Sequence, residues 1–148
     1  MARVFRMDYA GTGDYGTQSI RVWCTAAVTA GDWIAIDSND TTNPSALEGW
    51  SFVTADSGVE GDYDTIGVAM DTTTAAGFVT VQIAGRYDGA NVADAVTLGQ
   101  NLVISTTAGR AAAVAAEGTS SRIIGKALSA ADANNDANVW IFPHPAFV

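Results

Sequence analysis

Few side chains in this chain are of the types that act as nucleophiles, general bases or metal ligands. There is one histidine, His144, one cysteine, Cys24, and one lysine, Lys126. A Ser–His or Cys–His pair would have to use His144, which lies between two prolines and is poorly placed for a preorganised base. Cys24 follows Trp23 in a predicted strand and is expected to pack as a small apolar side chain. We therefore predict that the chain is not an enzyme and that it has no catalytic residue, metal site or cofactor.

Residues 11–16, Gly-Thr-Gly-Asp-Tyr-Gly, match the GxGxxG pattern of dinucleotide-binding folds. That mechanism needs a strand before the glycines and a helix after them, with the helix N-terminus facing the pyrophosphate. Here a strand-like segment follows, and the Asp14 carboxylate would repel phosphate. We interpret the segment as a flexible glycine loop.

Asp56-Ser57-Gly58 is similar to the catalytic loop of aspartic proteases, in which two carboxylates share one proton. The chain holds no second copy of this motif, so catalysis would require a homodimer with the pair at its axis. A turn is the favoured interpretation, and a homodimeric protease that uses Asp56 is the minor alternative.

Residues 132–137, Asp-Ala-Asn-Asn-Asp-Ala, place oxygen-bearing side chains at alternate positions, as the start of a calcium loop does. Such a loop also needs glycine at its sixth position and glutamate at its twelfth. These positions hold Ala137 and Pro143. The segment is therefore predicted to be the polar tip of a hairpin.

The composition is that of an acidic globular domain. Of 148 residues, 48% are hydrophobic and 16% are charged, which is too apolar for a disordered chain, and the length suits one domain. Seven basic residues against sixteen acidic ones give a net charge of −9. Such a surface repels the phosphates of nucleic acids and the headgroups of anionic membranes, so neither is expected as a partner.

Short runs of β-branched and aromatic residues are separated by Gly, Asp, Asn and Thr about every ten residues, which predicts an all-β sandwich or barrel. Around Val81 and around Ile34, side chains alternate so that one strand face should be buried and the other wet. Residues 111–116 are expected to be extended, and residues 91–97 to be extended or a single helical turn. The eight predicted strands are Ser19–Cys24, Asp32–Asp37, Ser51–Ala55, Thr65–Asp71, Phe78–Gly85, Leu102–Thr106, Ile123–Ser129 and Asn138–Phe142.

A weak internal repeat divides the predicted domain into two similar halves. Residues 30–36 parallel 98–104, residues 66–70 parallel 124–128, and residues 79–81 parallel 139–141. Two paired halves would each cover the apolar face that the other cannot bury alone. Chance similarity among strands rich in Gly, Ala and Val is the alternative. The first half is longer by about ten residues, mostly between Ser38 and Asp64.

The ends of the chain differ from its middle. Residues 1–18 are predicted to be an extended N-terminal arm, residues 19–142 a single β domain, and residues 143–148 a proline-rich tail that cannot be a central strand. The two halves of the domain lie near residues 28–88 and 96–142. The arm is rich in aromatic and basic residues, which favours docking on the domain itself or on a neighbour, and it suits strand addition.

Five of these segments together resemble the small capsid decoration, or cement, proteins of tailed bacteriophages. The chain departs from that pattern at Gly99-Gln100, where such proteins usually repeat Gly-Asp, and in the long Ser38–Asp64 segment. The segments that carry the resemblance span about residues 28–142 and are Ala30–Ile36, Ile66–Met70, Ala76–Val81 with Gly85, Leu98–Leu102 and Ile124–Leu128.

The resemblance implies a β-rich knob, commonly a homotrimer, on the exterior of an expanded icosahedral head, after synthesis in the host cytoplasm. It would bind the major capsid protein and bridge its subunits, and so stabilise the shell against internal DNA pressure by mass action. The expected capsid-binding residues are those of the arm: Arg3, Val4, Phe5, Arg6, Met7 and Tyr9. Further expected oligomer or capsid contacts are Trp33, Trp50 and Phe147, with core packing as the alternative for the tryptophans.

A carbohydrate-binding or fibre-tip module of a virion is the alternative function. If Trp33 or Trp50 is exposed, its indole ring would stack on sugar rings.

Overall fold

The structure is a computed structural model that describes residues 6–7, 17–37, 51–57, 64–114 and 122–144, with the backbone alone described at residues 6–7. These residues form strands and contain no helix, which confirms the all-β prediction. The strands are β1 (Arg6–Met7), β2 (Gln18–Cys24), β3 (Trp33–Asp37), β4 (Ser51–Thr54), β5 (Thr65–Ala69), β6 (Gly77–Asn91), β7 (Asn101–Ile104), β8 (Ala111–Ala113), β9 (Gly125–Ala127) and β10 (Asp136–Ile141).

All eight predicted strands are present, and two differences from the prediction matter for the fold. β6 is 15 residues long and runs well past the predicted end at Gly85. Residues 111–113 are extended as expected, whereas residues 92–97 hold bends and two isolated bridges rather than a helical turn. The long β6 proves to be the strand that joins the two halves.

The first half of the sheet closes on itself. Its strands follow the order β2-β4-β3-β5-β6, and β6 pairs back with β2 through seven residue pairs. All of these pairings are antiparallel except that between β2 and β4, which are parallel at Cys24 and Phe52. Five strands that close in this way form a small barrel with its interior filled by side chains.

The second half has the same topology. The C-terminal part of β6 pairs with β10, and β9, β7 and β8 follow in order. A parallel bridge between Val92 and Ala111 brings β8 back to the end of β6, as the parallel pair of Cys24 and Phe52 does in the first half. β6 therefore belongs to both halves, as the last strand of the first and the first strand of the second.

The two halves match residue by residue, which supports duplication over chance similarity. Gly31 donates its N–H to the carbonyl of Ala69 at 2.9 Å, and Gly99 donates to Ala127 at 2.8 Å. Equivalent residues lie 68 positions apart in β2 and β3, 59 apart in β4 and 58 apart from β5 onwards, so the first half is longer by ten. Most of this excess lies between β3 and β4, as predicted.

The predicted match of residues 79–81 with 139–141 is wrong by two positions. Ala69 pairs with Val81 and Ala127 pairs with Val139, so Val81 corresponds to Val139. A shift of two residues keeps every side chain on the same face of the strand, so sequence alternation alone does not detect it.

Gln100, where the sequence departs from the Gly-Asp pattern, makes the same hydrogen bond as the equivalent aspartate of the first half. In the first half, Asp32 accepts the backbone N–H of Thr29 at 2.8 Å. In the second half, the side-chain carbonyl of Gln100 accepts the N–H of Thr97 at 2.7 Å. The turn before the strand is therefore preserved by a neutral acceptor.

Each half has its own apolar core, and the two cores correspond. The core of the first half contains Ile20, Val22, Cys24, Val28, Ile34, Phe52, Ile66, Ala69, Val79, Val81 and Ile83. Every member except Ile20 has its equivalent in the core of the second half. The equivalent of Ile20 is Asp88, which is exposed. The second core also takes in four residues of the first half, Trp33, Ala35, Ala55 and Val68.

This sharing corrects the prediction that one face of β3 and of β6 is wet. Trp33 and Ala35 are fully buried, and Gln82 on β6 is 4% exposed. The second half covers these outer faces of the first barrel. The buried amide of Gln82 is satisfied because it donates to the carbonyls of Ala84 and Arg86, at 3.1 and 2.7 Å.

We expect Gly67→Ala to destabilise the protein strongly. A Cβ at Gly67 would point at the backbone carbonyl of Gln82 in the neighbouring strand, where no side chain can move aside. Relief requires β5 and β6 to separate locally, at a cost of about 3 kcal/mol in the free energy of unfolding. Urea unfolding measures this change. Gly77→Ala is the matched control, because its Cβ would meet nothing closer than the carbonyl of Ala75 at 3.9 Å. Equal losses for both variants would contradict the close packing assigned to β5 and β6.

Candidate interaction surfaces

The reactive side chains of the sequence do not come together. Cys24 is completely buried inside the first barrel, and burial raises the pKa of its thiol from 9.0 to about 12. Lys126 is exposed on β9, and His144 follows β10. Within the described ranges, no three His, Cys, Asp or Glu side chains are grouped to hold a metal ion. The same residues include no helix of the length and hydropathy needed to cross a membrane.

The calcium-like segment forms the hairpin tip that the sequence favours. Asn134 adopts a left-handed backbone conformation with φ of 61°, and Asn135 donates its N–H to the carbonyl of Asp132 at 3.3 Å. This hairpin leads directly into β10 and is exposed throughout residues 132–136.

The protease-like segment lies in a turn after β4. Ser57 donates its N–H to the carbonyl of Ser105 at 3.1 Å, so the backbone here ties the first half to the second. Ser57 lies in a turn as predicted, Asp56 lies in irregular structure just before it, and Gly58 lies outside the described residues. A protease dimer built around Asp56 stays an untested alternative.

The predicted contact residues lie mostly outside the described ranges. Arg6 and Met7 are described at the backbone, as the two residues of β1, which pair antiparallel with Ser19 and Gln18 of β2. The other predicted arm and terminal residues, which lie outside, are Arg3, Val4, Phe5, Tyr9, Trp50 and Phe147.

Trp33 is a correction to the predicted contacts. Its side chain is 0% exposed and packs in the core of the second half. Its indole N–H donates to the carbonyl of Asn91 at 3.2 Å. It therefore offers no surface to another subunit or to a sugar ring. Trp33 is a core residue, which was the alternative interpretation.

An aromatic pair made of a half-buried tryptophan and an exposed phenylalanine lies on the outer face of the first barrel. Trp23 on β2 and Phe78 on β6 are directly paired, with ring centroids 5.1 Å apart in an edge-to-face contact. The guanidinium carbon of Arg21 lies 5.7 Å from the centre of the Phe78 ring. Phe78 is 45% exposed and Met70 is 44% exposed. Met70 lies close to this strand because its backbone N–H donates to the carbonyl of Thr80 on β6. Apolar groups with one flanking cation are typical of protein-binding surfaces.

A second exposed aromatic lies on the outer face of the second barrel. Trp140 of β10 is 40% exposed and is directly paired with Arg86 on one side and Lys126 on the other. Val139 and Ile141 point into the barrel, so strand alternation turns Trp140 outwards. The sequence could have predicted this, because Trp140 lies between two apolar residues of a strand and so has the opposite orientation to both.

Comparison between the halves shows that this strand pair can form without aromatic side chains. The positions of Trp23 and Phe78 correspond to Asn91 and Asp136 in the second half, which form the same strand pair. The same backbone is thus built with two polar side chains. Aromatic side chains lie at these two positions in the first half only, which favours a binding role for them.

Comparison with known proteins gives a likeness in fold alone. No protein-family model matches the chain, and no curated protein matches its sequence. Among solved structures, the chain is similar to the N base of the head fiber protein gp8.5 of bacteriophage phi29. That similarity has a TM-score of 0.57 at 14% sequence identity, and covers 85% of this chain and 94% of that one.

We expect the double variant Trp23→Asn, Phe78→Asp to fold, because it installs the residues that the second half already holds at the same positions. The loss should be about 1–2 kcal/mol, of which about 1 is the edge-to-face contact and the rest is apolar area of the half-buried Trp23 ring. Ile34→Ala, a truncation inside the first barrel, should cost about 2–5 kcal/mol. Chemical unfolding measures both. A double variant as unstable as Ile34→Ala would show that the aromatic pair is structural.

We expect Cys24 to be unreactive towards thiol reagents at pH 8 until the chain unfolds. Since the thiol pKa is about 12 in the folded chain and 9.0 is its ordinary value, the folded state holds this proton more tightly. Its contribution to stability is complete below pH 9 and is lost as the pH rises towards 12. As the pH rises above 9, the free energy of unfolding of Cys24→Ala should therefore fall less than that of the wild-type chain. Fast labelling of the folded protein would contradict the burial of this side chain.

Proposed function

We propose that this chain is a structural protein of a tailed-bacteriophage head, and that it binds the outer surface of the expanded shell as a decoration protein. The observation that carries the proposal is the likeness in fold to the phi29 head fiber base, which extends over 94% of that chain. It agrees with the resemblance to cement proteins in the segments that become β3, β5, β6, β7 and β9.

The architecture supports a permanent mechanical role. Two small barrels share β6, and residues of the first half complete the core of the second. Protein interiors packed in this way are nearly incompressible, so the unit would transmit force between the shell subunits that it touches.

The N-terminal arm is the proposed shell contact. Within the described part of the arm, β1 pairs with β2 at two residues, Arg6 and Met7. Two paired residues hold a segment weakly, so the arm can exchange this pairing for a strand of the major capsid protein. Arg3 and Arg6 would then meet carboxylates of the shell.

The base of a head fibre is the second candidate function, and the likeness in fold to the N base of the phi29 head fiber favours it. The two functions differ in mechanism. A decoration protein bridges shell subunits and stabilises them, whereas a fibre base needs only a firm attachment to the head.

We expect the full chain to co-sediment with expanded heads that lack it, and to raise the temperature at which those heads release DNA. Each bound copy stabilises the state to which it binds, so many copies raise the barrier to rupture. Sedimentation measures binding, and dye access to DNA during heating measures release. A chain that sediments with heads but leaves the release temperature unchanged would favour the fibre base.

The matched variants are a deletion of residues 1–15 and a deletion of residues 145–148. The first should abolish binding and leave the unfolding transition in place, because the removed segment contributes only the two residues of β1 to the described sheet. The second should leave binding intact. Undiminished binding by the first variant would overturn the arm assignment, and no binding by the full chain would overturn the proposed function.

A further inference from the structure

An accessible row of four side chains crosses the outer face of the second barrel. Its members are directly paired across β6, β10, β9 and β7, so they point to the same side of the sheet. The first three are exposed and the last is partly exposed. Neighbouring strands lie about 4.8 Å apart, so the row is about 14 Å long. Its members, which we call the Trp140 row, are Arg86, Trp140, Lys126 and Asn101.

The charge of the Trp140 row is opposite to that of the whole chain. The chain has a net charge of −9, yet the exposed indole lies between a guanidinium and the only ammonium side chain of the sequence. Directly opposite residues on antiparallel strands have Cβ atoms about 5 Å apart. Both cationic groups can therefore reach a ligand that stacks on the ring of Trp140, which favours a ligand that carries negative charge.

Both cationic side chains can take part in such binding. Arg86 donates to Asp88 at 2.8 Å, but the two side chains are 58% and 61% exposed. An exposed ion pair of this kind is weak, so a ligand carboxylate can replace Asp88 as the acceptor. No described carboxylate pairs with Lys126.

The barrel does not need an aromatic side chain at position 140. Val139 and Ile141 fill the interior of the second barrel, and Trp140 belongs to neither apolar core. The equivalent position of the first half holds Gln82, on a strand with the same pairing. The same backbone is therefore built with a polar side chain, and the exposed indole is open to a binding role.

The neighbours of Trp140 favour a saccharide over a protein as the ligand. Lysine is depleted in the core of protein interfaces, yet Lys126 lies directly beside the ring. A pyranose ring has an apolar C–H face that can pack flat on an indole, and hydroxyl groups round its edge that need hydrogen-bond partners. Lys126 and Arg86 supply donors, and the Asn101 amide supplies donors and an acceptor. The row therefore combines a stacking surface with polar groups on both sides of it.

We propose that the Trp140 row binds an acidic saccharide. A sugar ring stacks on Trp140, and its carboxylate accepts charge-assisted hydrogen bonds from Lys126, with Arg86 available to a second acidic group on the other side of the ring. Asn101 bonds to hydroxyl groups further along the row. The site belongs to the single chain and does not depend on the proposed function. Only its avidity does, since many copies on one head would strengthen a weak site.

The first test is a titration of the full chain with two pairs of matched saccharides, followed by backbone amide NMR shifts. One pair is the trimer of galacturonic acid and its methyl ester, and the other is sialyllactose and lactose. At least one acidic saccharide should bind with a dissociation constant of about 1 mM, as expected for a few exposed contacts. Its neutral partner should bind about tenfold more weakly, and added salt should reduce this difference. The shifts should cluster on β6, β9 and β10.

Variants place the ligand on the row and separate stacking from charge. Trp140→Ala should weaken binding of the acidic saccharide about tenfold, and Trp140→Phe, which keeps an aromatic ring, should lose less. Lys126→Gln should weaken the acidic saccharide to about the level of its neutral partner and leave the neutral partner unchanged. Phe78→Ala and Arg21→Gln, an exposed ring and an exposed cation of the first barrel, are the matched controls and should keep the wild-type affinity. Chemical unfolding shows that each variant is folded.

Four results would overturn the proposal. They are the absence of binding by both acidic saccharides at about 10 mM, equal binding by the neutral partners, undiminished binding by folded Trp140→Ala, and an equal loss in Phe78→Ala. If saccharides do not bind and Trp140→Ala instead abolishes co-sedimentation with heads, the row is a protein-binding surface. A chain that binds the acidic saccharide through Trp140 but does not bind heads would support this proposal and overturn the proposed function.

Discussion

Trp33 donates its indole N–H to Asn91 while its ring is enclosed by the core of the second half, and this side chain fixes how the two barrels meet. The backbone around it is tied to the second half as well. The N–H of Trp33 donates to Gly109 at 2.9 Å, and Gly109 donates to Ala55 at 2.8 Å. A fully buried tryptophan with its polar atom satisfied contributes one of the largest apolar areas available to a domain of this size. The second barrel is therefore incomplete without the first.

The shared strand imposes the second constraint. Since β6 ends one barrel and begins the next, the two halves cannot move apart without breaking pairing with β2 or β10. Gly85 and Gly89 lie where β6 passes from one barrel to the other, with φ of 87° and 96°. Only glycine adopts these values without strain, so they allow the strand to change direction. A duplicated sequence thus becomes one unit.

Alternation and turn residues were sufficient to predict the all-β fold and eight of the ten described strands, and they indicated the duplication without deciding it against chance similarity. They could not predict that the outer face of β3 is buried, because a pattern of period two shows which face is apolar but not what covers the other. The register error at residues 79–81 has a related cause, since a slip of two preserves both faces. β1 has only two residues, too few to carry any pattern. The candidate surfaces were harder still, because Trp23 and Trp140 are as common in small cores as on interfaces.

Differences between the halves are more informative about function than similarities. Equivalent positions obey the same backbone geometry, so a residue kept in both halves, such as the glycine at positions 67 and 125, reports a requirement of the fold. A residue that differs reports a difference in surroundings. Val68 is apolar because the second half covers it, and Lys126, its equivalent, is charged because water reaches it. Trp140 departs from this rule, since a large apolar ring is exposed where a buried Gln82 stands in the first half. The described residues leave much of this ring exposed, and a large exposed aromatic side chain is typical of a binding surface.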